Sequence, residues 1–500
     1  MKLYCRQLFN LFIILLVMAG YQVSAQNEAK DSRWYDSATY EAYTQRNWPE
    51  VITQGMNALS AGYDYYYLRM RLGAAAYETG NYSKAISQYN KALRFNSSDD
   101  EAKSGKYFSY INLGNRDQAA RISGKIGNEK LDALHIRKGN FLDMVFLESG
   151  YSPSSGHGHN PGELAGTDSI YGEEDCQKDM FYTQFGGKIR VMPALSIFAA
   201  FTRMNIKMEK HLAYSYLVAH LDSIAYPPFG QAYLYSFPKT FSAINIPYNI
   251  TQGDFYLNTT YVADNGLKIT AALHHLQVQY KKTSVQFTSN LTDTAYFLAA
   301  DTSWHMFNYQ GSAYSLYQWD TSYSNYVFSI SASKDIGNVT LDLSGSISDF
   351  NRMRQSEVGS SLTWYPMGNT NLYGGVSTVS VFNDKKQRMV YELSLGGKIF
   401  ENTWITGFWT QGNMNLYNEK NAYVVFNQPD YITSRTGIDL TCLLGKHAEI
   451  SLMYRIYLKD SQQLRYLNAA PAGSDPVITS SVTSQSYTNQ IFIGGLKWKL

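Results

Sequence analysis

The stretch AEISLMYRIYLK, residues 448–459, alternates without a break. Ile450, Leu452, Tyr454, Ile456 and Leu458 make one face; Ser451, Met453, Arg455 and Tyr457 make the other. A period of two belongs to a β-strand, whose successive side chains point to opposite sides. Three more segments read the same way. In Met389 to Phe400, Met389, Tyr391, Leu393, Leu395 and Ile399 oppose Glu392, Ser394 and Lys398. In Val339 to Ile347, Val339, Leu341, Leu343 and Ile347 oppose Thr340, Asp342 and Ser344. Between Tyr431 and Leu444, Ile438, Leu440, Cys442 and Leu444 oppose Arg435, Asp439 and Thr441. Each segment has the ~10 residues that a tilted strand needs to cross a bilayer.

Working outward from these strands, short turns fall at Met192-Pro193-Ala194, Asp264-Asn265-Gly266, Asp335 to Asn338, Pro366 to Asn369, Glu401-Asn402 and Gly445 to His447. They alternate with connections that are mostly longer, at 152–179, 208–252, 283–323, 416–430 and 460–484, with brief ones near 350–353 and 383–387. Outer-membrane barrels carry this asymmetry, with short periplasmic turns and longer outer loops. The expected architecture from 140 to 500 is an antiparallel transmembrane β-barrel of about 14 strands, with both ends in the periplasm. Hairpins within 208–252 or 283–323 entering the membrane would make it 16. The last strand places Phe492, Gly494, Leu496, Trp498 and Leu500 on one face, close to the terminal-aromatic pattern of barrel proteins.

Composition agrees. The chain has 42 Tyr, 24 Phe and 8 Trp, only 17% charged residues and a net charge of +2. A barrel needs apolar residues only at alternate positions, so its overall hydropathy is weak. No apolar run after the N-terminus is long enough for a membrane helix, and the charge balance argues against nucleic-acid binding. If the apolar faces meet lipid, the opposite faces line the lumen. That assigns Lys188, Arg190, Arg203, Lys207, Asp342, Glu357, Glu392, Lys398, Arg435, Asp439 and Arg455 to the interior. Basic residues outnumber acidic ones in this set, which points to an anionic or sugar-like solute such as a polysaccharide; the other expectation is that these charges pair across the lumen and plug it.

The first residues read as a secretory signal covering 1–25: Lys2 and Arg6, an apolar run from Leu8 to Ala19, and Val23-Ser24-Ala25 before the cleavage point. Cys5 leaves with it. Cys176 and Cys442, the only cysteines left, are expected at opposite ends of the barrel and unbridged.

From 32 to 139 the period is helical, and it repeats every 34 residues. The best copy places Leu72-Gly73 early, Gly80 at the inter-helix turn, then Tyr82, Ala85, Tyr89 and Ala92. Trp48, Val51 and Ala58 occupy the equivalent places one period earlier; Tyr110, Gly114, Ala119 and Ile126 follow one period later. Small residues at these sites let two antiparallel helices approach closely. The pattern resembles the tetratricopeptide repeat (TPR), although Ser97 and Ala76 stand where that family usually has proline and tyrosine. The resemblance implies a surface that docks a periplasmic protein partner.

Catalytic motifs are absent. His157-Gly158-His159 sits in a Ser/Gly-rich stretch and reads as loop, so no metal ligand or cofactor is expected. His274 and His275 are strand neighbours whose rings must face opposite sides. No G-x-S-x-G context exists to support an outer-membrane hydrolase. The aromatic-dense segment Trp304 to Tyr326 reads as a loop hairpin with an interfacial girdle, or as a sugar-stacking surface. Signal, TPR-like helices and barrel in that order resemble the exopolysaccharide exporters of Gram-negative bacteria, with a shorter helical part. That resemblance implies an export pore with a docking module; a non-conducting anchor that carries a scaffold is the other expectation.

Overall fold

The computed structural model describes residues 30–136, 141–156, 158, 164, 169–217, 220–225, 232–236, 239–298, 303–351, 353–383, 386–428, 430–468 and 478–500. The signal segment at 1–25, His157 and His159 lie outside them. Among the described residues, helices come first and strands follow.

The helices are α1 (Ser32–Thr44), α2 (Trp48–Ser60), α3 (Tyr66–Glu78), α4 (Tyr82–Phe95), α5 (Asp100–Asn112), α6 (Arg116–Ser123) and α7 (Asn128–Ala133). The first six form three hairpins, and each hairpin turns by the same device. A residue in the left-handed region ends the first helix: Arg46 (φ 57°), Gly80 (φ 77°) or Gly114 (φ 72°). The next residue donates its backbone N–H five residues back, Asn47 to Ala42, Asn81 to Ala76 and Asn115 to Tyr110. The same asparagine then caps the second helix, accepting from Glu50, Lys84 and Gln118. The 34-residue spacing is thus a spacing of turns and caps.

Small residues set the packing between helices. A Cβ at Gly73 would meet the Tyr89 ring at 2.7 Å, and one at Gly105 would meet the same ring at 2.4 Å. A Cβ at Gly55 would meet Leu72 at 2.6 Å. Leu72, Ala85, Ala92 and Ala119 are fully buried and Tyr89 nearly so, while Tyr82 is half-buried with its ring 5.5 Å from Tyr77.

The strands are β1 (Leu142–Ser152), β2 (Ser169–Met192), β3 (Leu195–Leu217), β4 (His220–Ala225), β5 (Ala232–Ser236), β6 (Lys239–Val262), β7 (Lys268–Leu298), β8 (Trp304–Ile336), β9 (Val339–Phe350), β10 (Met353–Trp364), β11 (Leu372–Asn383), β12 (Lys386–Phe400), β13 (Thr403–Gln411), β14 (Tyr417–Glu419), β15 (Val424–Phe426), β16 (Tyr431–Leu444), β17 (Ala448–Asn468) and β18 (Ile478–Lys499). Fourteen of them close into one antiparallel barrel, and β1 seals against β18 from Met144↔Lys499 to Tyr151↔Phe492. The pairs β4–β5 and β14–β15 lie outside the barrel order. The outward face is an apolar belt: Leu343, Ile347, Val358 and Leu395 are each more than 60% exposed. Contiguous apolar surface of this kind is stable only under hydrocarbon.

Two expectations about the connections are corrected. The stretches 208–252, 283–323 and 460–484 are largely continuations of strands. β7 and β8 pair out to Leu298↔Trp304, β3 and β6 to Leu217↔Lys239, β17 and β18 to Asn468↔Ile478. β7 has 31 residues, about three times what a crossing needs. Trp304 to Tyr326 accordingly lies within β8 rather than in a loop. The second correction concerns 416–430, which turns inward and carries β14 and β15 into the lumen.

Candidate functional site

The segment from Gly412 to Gln428 occupies the barrel interior and is held by side chains from most of the wall. Its apolar residues Met414, Tyr417 and Phe426 pack on Val381, Val390 and Ile432. Leu416 and Ala422 pack on Leu276, Val327 and Phe350. Tyr423 reaches the far side, against Phe146, Phe198 and Tyr256. Burying each large apolar side chain contributes roughly 1.5–3 kcal/mol, so a hairpin seated by this many is a fixed part of the resting fold.

Polar contacts fix its orientation. Arg435 of β16, 2% exposed, donates to both carboxylate oxygens of Glu419 at 3.0 and 2.8 Å, and to Glu392 at 2.8 Å. The Asn418 backbone N–H donates to Glu357 at 3.1 Å, and its side chain to Ser346 at 3.0 Å. Gln355 donates to the Leu416 carbonyl and Arg388 to that of Asn415. The tip, Lys420, Asn421 and Ala422, runs through three consecutive left-handed residues (φ 53°, 58° and 62°). Such a turn is costly for non-glycine residues. It is clamped by Tyr256, whose hydroxyl donates to the Asn421 carbonyl at 3.1 Å, and by His274, whose Nδ1 donates to the Ala422 carbonyl at 2.6 Å. His275 faces away, stacked on Tyr326 at 4.6 Å.

Between the hairpin and the wall from β8 to β12 lies a cavity of about 350 Å³. Serines line it, including Ser331, Ser344, Ser361, Ser377 and Ser394, together with Asp342, Glu357, Glu392 and Glu419 and a single cation, Lys420. Its hydroxyl-rich, acidic lining differs from the basic interior read from the sequence.

The predicted interior residues divide by partner. Asp342 accepts from Ser361 at 3.0 Å. Asp439 pairs with Arg455 at 3.7 Å, and Lys398 lies 5.5 Å from the Trp404 ring. Lys188 and Arg190 face inward at the short-turn end, where both donate to Asp117 of α6, at 2.6 and 3.0 Å; Arg190 also reaches Asp143 at 2.8 Å. Arg203 and Lys207 are corrected. Thr202 faces inward, bonded to Gln184, which itself accepts from Tyr423. Alternation therefore turns Arg203 and Lys207 outward with exposed Phe201. Lys207 meets Asp179 there at 3.5 Å. Outward charges are cheap near the edge of the apolar belt, which is why charge alone misassigned them.

The helical module covers the short-turn end through its second helices. Ser83 donates its N–H to the Gly368 carbonyl at 3.0 Å, Asn369 donates to that of Gly80 at 2.9 Å, and Gln118 to that of Gly266 at 2.7 Å. Arg121 and Lys125 pair with Asp264. Burial alone would raise the Asp117 carboxyl, but Lys188 and Arg190 outweigh it and hold it below its usual range. The opposite face of the module is a groove of about 670 Å³, lined by Tyr40, Tyr67, Arg71, Tyr77 and Phe108 among others.

The sequence reading missed the inward hairpin. Its signal was present: Met414, Leu416, Tyr417, Tyr423 and Phe426 are too apolar for a loop in water.

No family model matches the chain, and no curated protein matches it. Among solved structures, it is similar to a FadL homologue of Pseudomonas aeruginosa, with 9% identity, 80% of this chain and 94% of that one covered, and a TM-score of 0.37. The toluene transporter TodX of Pseudomonas putida aligns at 7% identity over 75% and 94%, with a TM-score of 0.36. A bacterial polysaccharide outer membrane secretin aligns at 7% identity over 72% and 99%, with a TM-score of 0.32. Likeness at this level carries no argument about function; the barrel rests on its own strand pairing.

Proposed function

We propose that this chain is an outer-membrane transport channel held closed from within, with its TPR-like module in the periplasm as the docking point for a partner protein. The observation that carries the reading is the lumenal hairpin, secured by Arg435 to Glu419 and Glu392. An ion-pair latch is a reversible fastening, and a wall of serines behind it offers a hydroxylated path. The acidic lining favours a neutral polyhydroxyl or cationic solute over an anionic one. The aromatic groove around Tyr40 and Tyr67 supports docking, because large exposed rings beside Arg71 are the side chains that anchor interfaces.

A second reading, a permanently closed anchor, is favoured by the rim contacts from Asp117 and Asp264, which fasten the module over one mouth. Planar-bilayer recordings separate the two. The full chain is expected to be silent, and a form with residues 413–428 replaced by a short Gly-Ser linker to conduct in discrete steps. If the shortened form stays silent while migrating as a folded barrel, the anchor reading holds and the channel reading fails.

A further inference from the structure

Away from the lumenal hairpin, the extensions of β2 and β3 place four chemically active side chains in a cross-strand square. Register pairs Glu174 with His211 and Cys176 with Glu209. Two-residue spacing along each strand keeps all four on one face. Glu174, Cys176 and His211 are 1%, 0% and 7% exposed, and one ligand atom from each lies within 4.8 Å of the others. Cys176 Sγ stands 3.7 Å from His211 Nδ1. On the other side of the ring, Nε2 lies 3.0 Å from Glu209 Oε2. A carboxylate accepts, so the proton belongs on Nε2 and the Nδ1 lone pair points toward the sulfur. Glu209, itself paired with Lys178 at 2.7 Å, stands where an outer-sphere carboxylate would orient a metal-binding histidine. Ser461 donates to one oxygen of Glu174 at 2.6 Å. Gly158 closes the pocket: a Cβ there would lie 2.8 Å from the sulfur and 2.9 Å from the imidazole, and its φ of +128° suits only glycine.

We propose that Glu174, Cys176 and His211 form a binding site for a thiophilic divalent metal, with zinc the best fit. Tetrahedral zinc with Zn–S of ~2.3 Å and Zn–N of ~2.0 Å separates the two ligand atoms by ~3.5 Å, close to the 3.7 Å found here. Thiolate and carboxylate together neutralise the ion, and the sulfur and nitrogen donors select against calcium and magnesium. A thiol–imidazole hydrogen bond alone accounts for the sulfur and ring; a bound ion also accounts for a carboxylate oxygen of Glu174 lying within 4.8 Å of both. The fourth position is left for water or one more ligand. His157 and His159 flank Gly158 in the sequence but, being outside the described residues, are not counted as ligands. The bound ion would staple β2 to β3 beneath Gly158, so its role is structural. The sequence hid the site because its ligands lie on two strands, and neither Glu-x-Cys nor Glu-x-His is a ligand motif by itself.

The test is titration of the full mature chain, folded in detergent, with cobalt(II) and then zinc(II). One equivalent of cobalt is expected to give visible d–d bands and a sulfur-to-metal charge-transfer band, both bleached by zinc. C176S should abolish the charge-transfer band and H211A should weaken cobalt binding by ~100-fold, whereas E209Q should weaken it by ~10-fold. C442S should change nothing. A folded chain without the charge-transfer band, or one whose band survives C176S, overturns the site. Alkylation covers variants that fail to fold. In the unsubstituted chain zinc is expected to protect Cys176 but not Cys442, and equal labelling of Cys176 with and without zinc overturns the proposal.

Discussion

Arg435 of β16 and Glu419 of the inserted hairpin meet through two parallel hydrogen bonds of 3.0 and 2.8 Å, and Glu392 accepts a third from the same guanidinium. The fork of the guanidinium matches both carboxylate oxygens at once. One wall residue thus decides whether buried Glu419 and half-buried Glu392 are neutralised.

Replacing Arg435 with Leu leaves Glu419 and Glu392 facing each other without their cation. Breaking a buried pair this way costs about 3–5 kcal/mol, and the loss falls on the seated hairpin. R435L is expected to show brief openings in bilayer recordings where the parent chain is silent. R435K should open less often, since an ammonium cannot bond bidentately. Silent R435L recordings would show that apolar packing alone holds the hairpin.

Asp117 links the module to Lys188 and Arg190. Because its carboxyl is held below its ordinary value of 3.8, the stabilisation it lends is complete at neutral pH. It is lost as pH falls below 3.8 through the depressed value. Hydrogen exchange in α6 and in the 263–267 turn should therefore stay slow down to that range and then accelerate. D117N should exchange fast at every pH.

Arg46 adopts the left-handed conformation that glycine takes at the two later turns, Gly80 and Gly114. A side chain there costs about 1–2 kcal/mol, partly offset by the greater freedom of unfolded glycine. R46G is expected to stabilise the module by ~0.5–1 kcal/mol, and G80A to destabilise it. Thermal melting of the helical circular-dichroism signal in the full chain measures both.

Lys106 on α5 is buried, with its ammonium 5.8 Å from the Tyr110 ring. Burial, with Lys125 adding repulsion, pushes it down to about 8 from 10.5. The unfolded chain then binds the extra proton, so module stability should rise with pH between 8 and 10.5. K106M should remove that slope and stabilise the module near neutral pH by ~3 kcal/mol. A melting temperature of K106M that still rises across this range would refute the assignment.

Much of the barrel was legible locally. Leu341 and Leu343 against Asp342, or Leu393 against Glu392, state the inside and outside of a strand at every second residue. The strand extensions were not legible, because past the belt both faces of β7 and β8 carry Tyr, Thr, Ser and Gln, and the polarity contrast that marks a strand disappears. Arg203 and Lys207 went astray for a related reason: at the edge of the belt a charge no longer reports which way it points.

Alternation, the 34-residue recurrence of small packing residues and the short turns therefore determined, from sequence alone, that helical hairpins precede a closed sheet. These are short-range properties, set by backbone geometry within a few residues. What fills and closes the barrel was decided only by the tertiary structure. Asp117 finds Arg190 across 73 positions, and Glu392 finds Arg435 across 43. No periodicity encodes such pairings; they arise when closure of the sheet brings distant strands around one small interior, where each buried charge must find a partner.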